Sequence, residues 1–82
     1  MYELDALVIY LEVIESGGFS QAGRRLHISQ SSVSQTIQSL EKQVGMPLFI
    51  RTGRSVVLTE AGQTLAPMAR ELVANAHRIE AT

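Results

Sequence analysis

The chain has 82 residues, 45% of them hydrophobic, no cysteine and a formal net charge of −1 at pH 7. This length allows one small domain with a limited core, and the absence of cysteine excludes disulfides and thiolate metal sites. No apolar run approaches the roughly 18 residues that span a bilayer, and no signal-peptide pattern opens the chain, so we expect a soluble, cytoplasmic protein without membrane contact.

An amphipathic helix is predicted at the start of the chain. Apolar residues recur at helical spacing from Leu4 to Ile14, and the pattern ends at Ser16-Gly17-Gly18, where glycine permits the chain to turn. Residues 1–16 carry four acidic and no basic side chains. We therefore expect this helix to be scaffold, on the side of the domain away from any polyanion.

Two helices joined by a short turn are predicted next. The first is a short helix at 19–26 with Ser20 as its N-cap, residues 27–29 form the turn, and Ser29 caps a second helix at about 30–44. Such a pair is a helix-turn-helix, whose second helix lies in the major groove of DNA.

The two faces of the second helix differ in chemistry. Val33, Ile37, Leu40 and Val44 form a core-facing seam, whereas the opposite face carries serine and glutamine in place of the usual glutamate and lysine. Hydroxyl and amide groups both donate and accept hydrogen bonds, as base edges in a major groove require. The residues expected to read bases are Gln30, Ser31, Ser34, Gln35 and Gln38. A merely polar surface helix is the alternative.

A two-stranded wing is predicted after this helix. Gly45 and Pro47 end the helix, and two short β-rich runs, 48–50 and 56–58, flank a turn that contains two arginines. Phe49 is expected to pack in the core rather than to contact a ligand.

Positive charge is concentrated in residues 17–58, which hold five basic side chains and one acidic side chain. A basic cluster is the electrostatic footprint of a nucleic-acid-binding surface, and chance clustering on a solvated surface is the alternative. The residues expected to contact phosphate or the minor groove are Ser20, Arg24, Lys42, Arg51 and Arg54. Arg51 has a competing interpretation as the ion-pair partner of Glu41.

A long C-terminal helix is predicted after the wing. Thr59 can cap it, residues 60–80 would extend about 30 Å, and Pro67 is expected to kink it. Its apolar residues recur every three to four positions and exceed what a small domain needs for its own core. The predicted dimerisation residues are Leu65, Met68, Ala69, Leu72, Ala76 and Ile79. A helix folded back on its own domain is the alternative.

The ordered series of these motifs resembles the N-terminal domain of a LysR-type transcriptional regulator. The matching pieces include Gly17-Gly18-Phe19, Ser29-Gln30, Leu40-Glu41, the stretch 48–51 and Leu58-Thr59-Glu60-Ala61-Gly62. The resemblance implies a mainly α, winged helix-turn-helix fold of three helices and a two-stranded wing, followed by a linker helix that pairs antiparallel with its copy in a second subunit.

The resemblance also implies a function for each part. Residues 1–58 would be the DNA-binding domain and 59–82 the dimerisation helix, and two copies would bind a two-fold-related operator in double-stranded DNA. Higher oligomers stay open for the full-length protein, and a small-molecule effector is expected only in a domain absent from this chain. Ser31-Ser32 stands where the family commonly has Pro-Ala, and Gln35 where it often has a basic residue, so the operator sequence does not transfer.

Two other classes of function compete with DNA binding. One is a winged helix that recognises protein through its serine and glutamine face. An enzyme is disfavoured because the serines have no general base at readable spacing, and no Gly-rich phosphate loop or metal motif is present. We expect no cofactor. His27 is interpreted as a turn residue or phosphate neighbour, and His77 as a surface residue.

Overall fold

The computed structural model describes residues 3–52 and 55–82, excluding the side chain of Thr52, and these residues form four helices and one two-stranded antiparallel sheet. The elements are α1 (Leu4–Ser16), α2 (Phe19–Leu26), α3 (Gln30–Val44), β1 (Phe49–Thr52), β2 (Ser55–Leu58) and α4 (Glu60–Ala81). The predicted mainly α fold with a two-stranded wing and a long final helix is confirmed.

Helix α2 begins earlier than its predicted cap. Gly18 is the N-cap residue, in extended conformation, and its carbonyl oxygen accepts a hydrogen bond from the Ala22 N–H at 3.1 Å. Because helical hydrogen bonding already starts at Gly18, Ser20 lies inside the helix, and its assignment as the N-cap was wrong. The Ser20 hydroxyl is therefore free to bond to something other than its own backbone.

A tight turn fixes α2 against α3. His27 adopts the left-handed conformation at φ 60°, which confirms it as a turn residue, and the Ile28 N–H donates to the Gly23 carbonyl at 2.9 Å. A Cβ atom at Gly23 would lie 2.8 Å from the Ile28 carbonyl oxygen, so the turn comes close to the helix only because Gly23 has no side chain. The Ser29 hydroxyl accepts from the Ser32 N–H at 3.0 Å, which confirms Ser29 as the cap of α3.

The core lies between α1, the inner face of α3 and the base of the wing. Tyr10, Ile37 and Leu48 are fully buried, and Phe49 is 7% exposed, which confirms its predicted place in the core. The hydroxyl of Tyr10 donates to the Gly62 carbonyl oxygen at 2.6 Å and so joins α1 to the start of α4. His77, at the far end of α4, is exposed as expected.

The wing is held to α3 by a carboxylate. One oxygen of Glu41, Oε2, accepts from the backbone N–H groups of Leu48 at 2.7 Å and Phe49 at 3.4 Å. The alternative interpretation of Arg51, as the ion-pair partner of Glu41, is contradicted, because these two amides occupy the carboxylate and the Arg51 guanidinium lies instead over the ring of Phe19.

Helix α4 continues unbroken through Pro67, and the kink expected there stays a prediction. The Thr59 hydroxyl accepts from the Gly62 N–H at 3.1 Å, which confirms the predicted cap. The first half of the helix packs on its own domain, where Ala66 and Ala69 are 3% and 2% exposed. Ala69 was therefore wrongly assigned to a seam that waits for a second subunit. No helix in the described ranges is apolar enough over its length to cross a membrane.

Burial of Tyr10 makes the stability of the domain depend on pH in the alkaline range. Burial raises the pKa of its hydroxyl to about 12, partly offset by the charge of Arg70. The unfolded chain loses this proton near pH 10 and the folded chain keeps it, so the free energy of unfolding should fall between pH 10 and 12, by up to about 3 kcal/mol. Urea unfolding across this range checks the prediction. Tyr10→Phe should remove this component, and an identical pH profile in the variant would contradict it.

Candidate nucleic-acid interface

The outer face of α3 is a polar surface opposite a fully apolar one. Val33, Ile37 and Leu40 on the inner face are at most 1% exposed, which confirms the predicted seam. The five residues expected to read bases line one shallow depression on the outer face: Gln30, Ser31, Ser34, Gln35 and Gln38. The fold thus places the predicted set together, with no large apolar side chain among them. Their contact with bases stays a prediction.

A groove adjoins this depression and is formed by α2, α3 and the wing. Its volume is about 380 Å³, and three of the predicted phosphate contacts line it: Ser20, Arg24 and Arg51. Gln30 and Ser34 line both the groove and the depression, so the two form one continuous surface. Two cations therefore lie beside a row of neutral hydrogen-bonding groups.

Arg51 is held in the groove by an aromatic ring. Its guanidinium carbon lies 4.3 Å from the ring centroid of Phe19, a distance at which the ring quadrupole attracts a cation. The Phe19 ring in turn packs edge-on against Phe49, with centroids 5.7 Å apart, and Phe49 lies 5.5 Å from the ring of Tyr10. The position of this surface cation is thus fixed by buried aromatic residues.

The remaining predicted cations lie elsewhere. Lys42 lines a separate surface pocket beside Gly45 and Pro47, beyond Gln38 on the far side of the depression. Arg54 lies outside the described residues. Arg25, which contributed to the positive charge of residues 17–58, contacts Glu12 of α1 through Nε and Oε2 at 3.4 Å, without a well-aligned hydrogen bond. The charge available to phosphate is therefore smaller than the sequence sum.

Sequence reasoning missed two features of this surface. Phe19 supports Arg51, and the Ser20 hydroxyl donates to the side-chain carbonyl of Gln30 at 2.8 Å. Both contacts join residues that are distant in the chain, so no local pattern signals them. Gln21 and Ser55 also line the groove, and their only signal was their position next to predicted residues.

Comparison with known proteins identifies the family. The family model described as "Bacterial regulatory helix-turn-helix protein, lysR family" matches residues 4–63, from the first residue of α1 into the start of α4. The chain belongs to the LysR family. The match includes both helices of the helix-turn-helix, the wing and the cap of α4.

Two relatives named as transcriptional regulators are longer than this chain. It is 46% identical over 71 residues to an uncharacterized HTH-type transcriptional regulator in the ibpB-leuC intergenic region of Azotobacter vinelandii, covering 87% of this chain and 49% of that protein. It is 43% identical over 76 residues to the HTH-type transcriptional regulator TfdT of Cupriavidus pinatubonensis, covering 93% of this chain and 33% of that protein. The chain thus spans half or less of these relatives.

A solved LysR-family structure confirms the fold. The crystal structure of the CbnR_DBD–DNA complex superposes with a TM-score of 0.92 at 33% sequence identity, covering 96% of this chain and 91% of that one. The winged helix-turn-helix and the long final helix therefore correspond over almost the whole chain.

Proposed function

We propose that this chain is the operator-reading domain of a bacterial transcriptional regulator. Helix α3 lies in the major groove of double-stranded DNA, and the wing arginines contact the backbone or the minor groove. The domain performs no catalysis and acts in the cytoplasm, where the bacterial chromosome is found. Sensing of a small-molecule effector belongs to a region outside this chain, which is consistent with the greater length of its relatives.

One observation carries this proposal. The depression lined by Gln30, Ser34 and Gln35 continues into the groove that holds Arg24 and Arg51. Base edges are recognised by neutral donors and acceptors, whereas phosphates attract cations. The neutral residues and the arginines of this surface lie side by side, as base edges and phosphates do along a groove of DNA. The similar CbnR domain was crystallised as a complex with DNA, which supports DNA as the ligand of this surface.

The exposed apolar face of α4 supports a homodimer. Met68, Leu72 and Ile79 are 55%, 50% and 75% exposed, and they recur along one side of the helix next to the side that packs on the domain. Leu65 and Ala76, both partly buried, complete this seam, which consists of Leu65, Met68, Leu72, Ala76 and Ile79. Antiparallel pairing of two such seams would present two α3 helices to half-sites about one helical turn apart.

DNA binding by the domain should depend steeply on salt. If Arg24 and Arg51 of both subunits each neutralise one phosphate, the slope of log affinity against log salt is about −4, since each phosphate neutralised contributes about −0.9. Fluorescence anisotropy with a labelled duplex over a series of salt concentrations measures this slope. Arg51→Gln should reduce its magnitude by about 2 in a dimer, because each subunit then neutralises one phosphate fewer.

Arg25→Gln is the matched control for this measurement, because Arg25 is paired with Glu12 outside the groove. It should leave the slope near the wild-type value. If the wild-type domain does not bind duplex DNA even at low salt, the polar face of α3 would instead be a surface for protein recognition.

A further inference from the structure

The side chains of Ser20 and Gln30 form a hydrogen bond that joins the start of α2 to the start of α3. The Ser20 hydroxyl donates to Oε1 of Gln30 at 2.8 Å, across ten positions of the chain. Both residues line the groove, and Gln30 also lines the depression on α3. We propose that Ser20 is a positioning residue for specificity, which fixes the Gln30 amide as a hydrogen-bond donor toward the DNA. This inference rests on the proposed function.

The backbone around the pair is rigid enough for this role. The Ile28 N–H bonds to the Gly23 carbonyl at 2.9 Å, and the Ser29 hydroxyl caps α3 at Ser32. A Cβ at Gly23 would meet the Ile28 carbonyl oxygen at 2.8 Å, so the turn and the helix are already in close contact. The two helix starts are thus held at a fixed separation, and the bond between Ser20 and Gln30 needs no rearrangement to form.

The role of Ser20 follows from the single proton that its hydroxyl can donate. A serine hydroxyl has one proton to donate, and here that proton is used by Gln30. An ionised phosphate diester only accepts hydrogen bonds, so Ser20 cannot donate to phosphate while the bond to Gln30 is present. Ser20 therefore acts on DNA through Gln30, and not as the phosphate contact that its position alone suggests.

The same bond determines what Gln30 offers. With Oε1 turned to Ser20, the NH2 group at the opposite corner of the planar amide carries two protons, and it has no hydrogen-bond partner within residues 3–52 and 55–82. Glutamine usually reads adenine with its oxygen and nitrogen together, whereas guanine presents two acceptors, N7 and O6, and no donor at that edge. Gln30 fixed as a donor thus favours guanine over adenine at one position of each half-site.

Variants of Ser20 test this assignment. Duplexes enriched by the wild-type domain from a random pool supply the operator, and Gln30→Ala identifies the base pair that Gln30 reads. Affinities are then measured for operators with each of the four base pairs at that position. In wild type guanine should be preferred, and Ser20→Ala should reduce the preference for guanine over adenine by about tenfold, because the freed amide can rotate to pair with adenine. Ser20→Thr, which keeps the hydroxyl, should retain the preference.

A double variant separates positioning from direct contact. In a Gln30→Ala background, Ser20→Ala should have no further effect on base preference or affinity. If Ser20→Ala lowers affinity equally for all four base pairs, or leaves the preference unchanged, Ser20 is not a positioning residue and the inference is overturned, while operator binding stands. A random pool that shows no enrichment by wild type overturns the operator-reading function and the positioning role with it.

Discussion

Gly62→Ala is expected to destabilise the domain by about 3 kcal/mol, because the added methyl group would force apart two packed elements. A Cβ at this position would overlap the backbone carbonyl oxygen of Leu48 and lie 2.8 Å from Cδ2 of Leu58. The Gly62 carbonyl also accepts the buried hydrogen bond from Tyr10, which any shift of α4 would lengthen. For a domain of this size the melting temperature should fall by roughly 12–24 °C.

Thermal unfolding followed by circular dichroism measures this effect. Gln63→Ala is the matched control, since its side chain is exposed in the same turn of α4 and its removal should change stability by less than about 0.5 kcal/mol. A Gly62→Ala variant that melts within a few degrees of wild type would show that α4 is not packed on the wing as described.

Leu72→Asp is expected to convert a dimer into monomers. Leu72 is 50% exposed at the centre of the apolar seam of α4, and a two-fold symmetric dimer would bury the Leu72 side chain of both subunits. Because dimerisation buries only the exposed half of each leucine, removing two of them costs about 1.5–3 kcal/mol, which weakens dimerisation at least about tenfold, and an unpaired carboxylate adds to that cost. Analytical ultracentrifugation at micromolar concentration should show this shift. Tight binding to an operator with two half-sites should disappear with it, while weak binding to one half-site survives.

Ala74→Asp provides the control for this change. Ala74 is exposed and lies two residues further along the helix, on the side away from the seam. The variant therefore adds the same charge as Leu72→Asp without touching a partner subunit. It should sediment like wild type. A wild-type chain that is monomeric at tens of micromolar, and that binds single half-sites as tightly as paired ones, would contradict the proposed dimer.

The features that the sequence predicted correctly depend on local spacing or local chemistry. The seam at Val33, Ile37 and Leu40 followed from helical periodicity, because only one face of a helix can be buried in a domain this small. The caps at Ser29 and Thr59 followed from the ability of a hydroxyl to satisfy a free N–H group at the start of a helix.

The expectations from the sequence that the structure contradicts depend on competition between groups that are distant in the chain. The carboxylate of Glu41 had two possible partners, and the backbone amides of Leu48 and Phe49 occupy it at 2.7 and 3.4 Å. Arg25 counted toward a basic face, but the fold places Glu12 beside it. Ala69 belonged to a real apolar pattern, but spacing does not reveal whether the domain itself or a second subunit covers a given side of a helix.

Selection of duplexes from a random pool tests the central claim, operator reading by α3, most directly. The wild-type chain should enrich one motif of two inverted half-sites about one helical turn apart. Gln35→Ala, which alters only an exposed side chain of the depression, should relax one base pair in each half-site, where a glutamine contact discriminates by about 1–3 kcal/mol. Non-specific binding should change little. A wild-type chain that enriches no motif, or a Gln35→Ala variant that enriches the wild-type motif unchanged while losing affinity for all duplexes equally, would contradict base reading by this face.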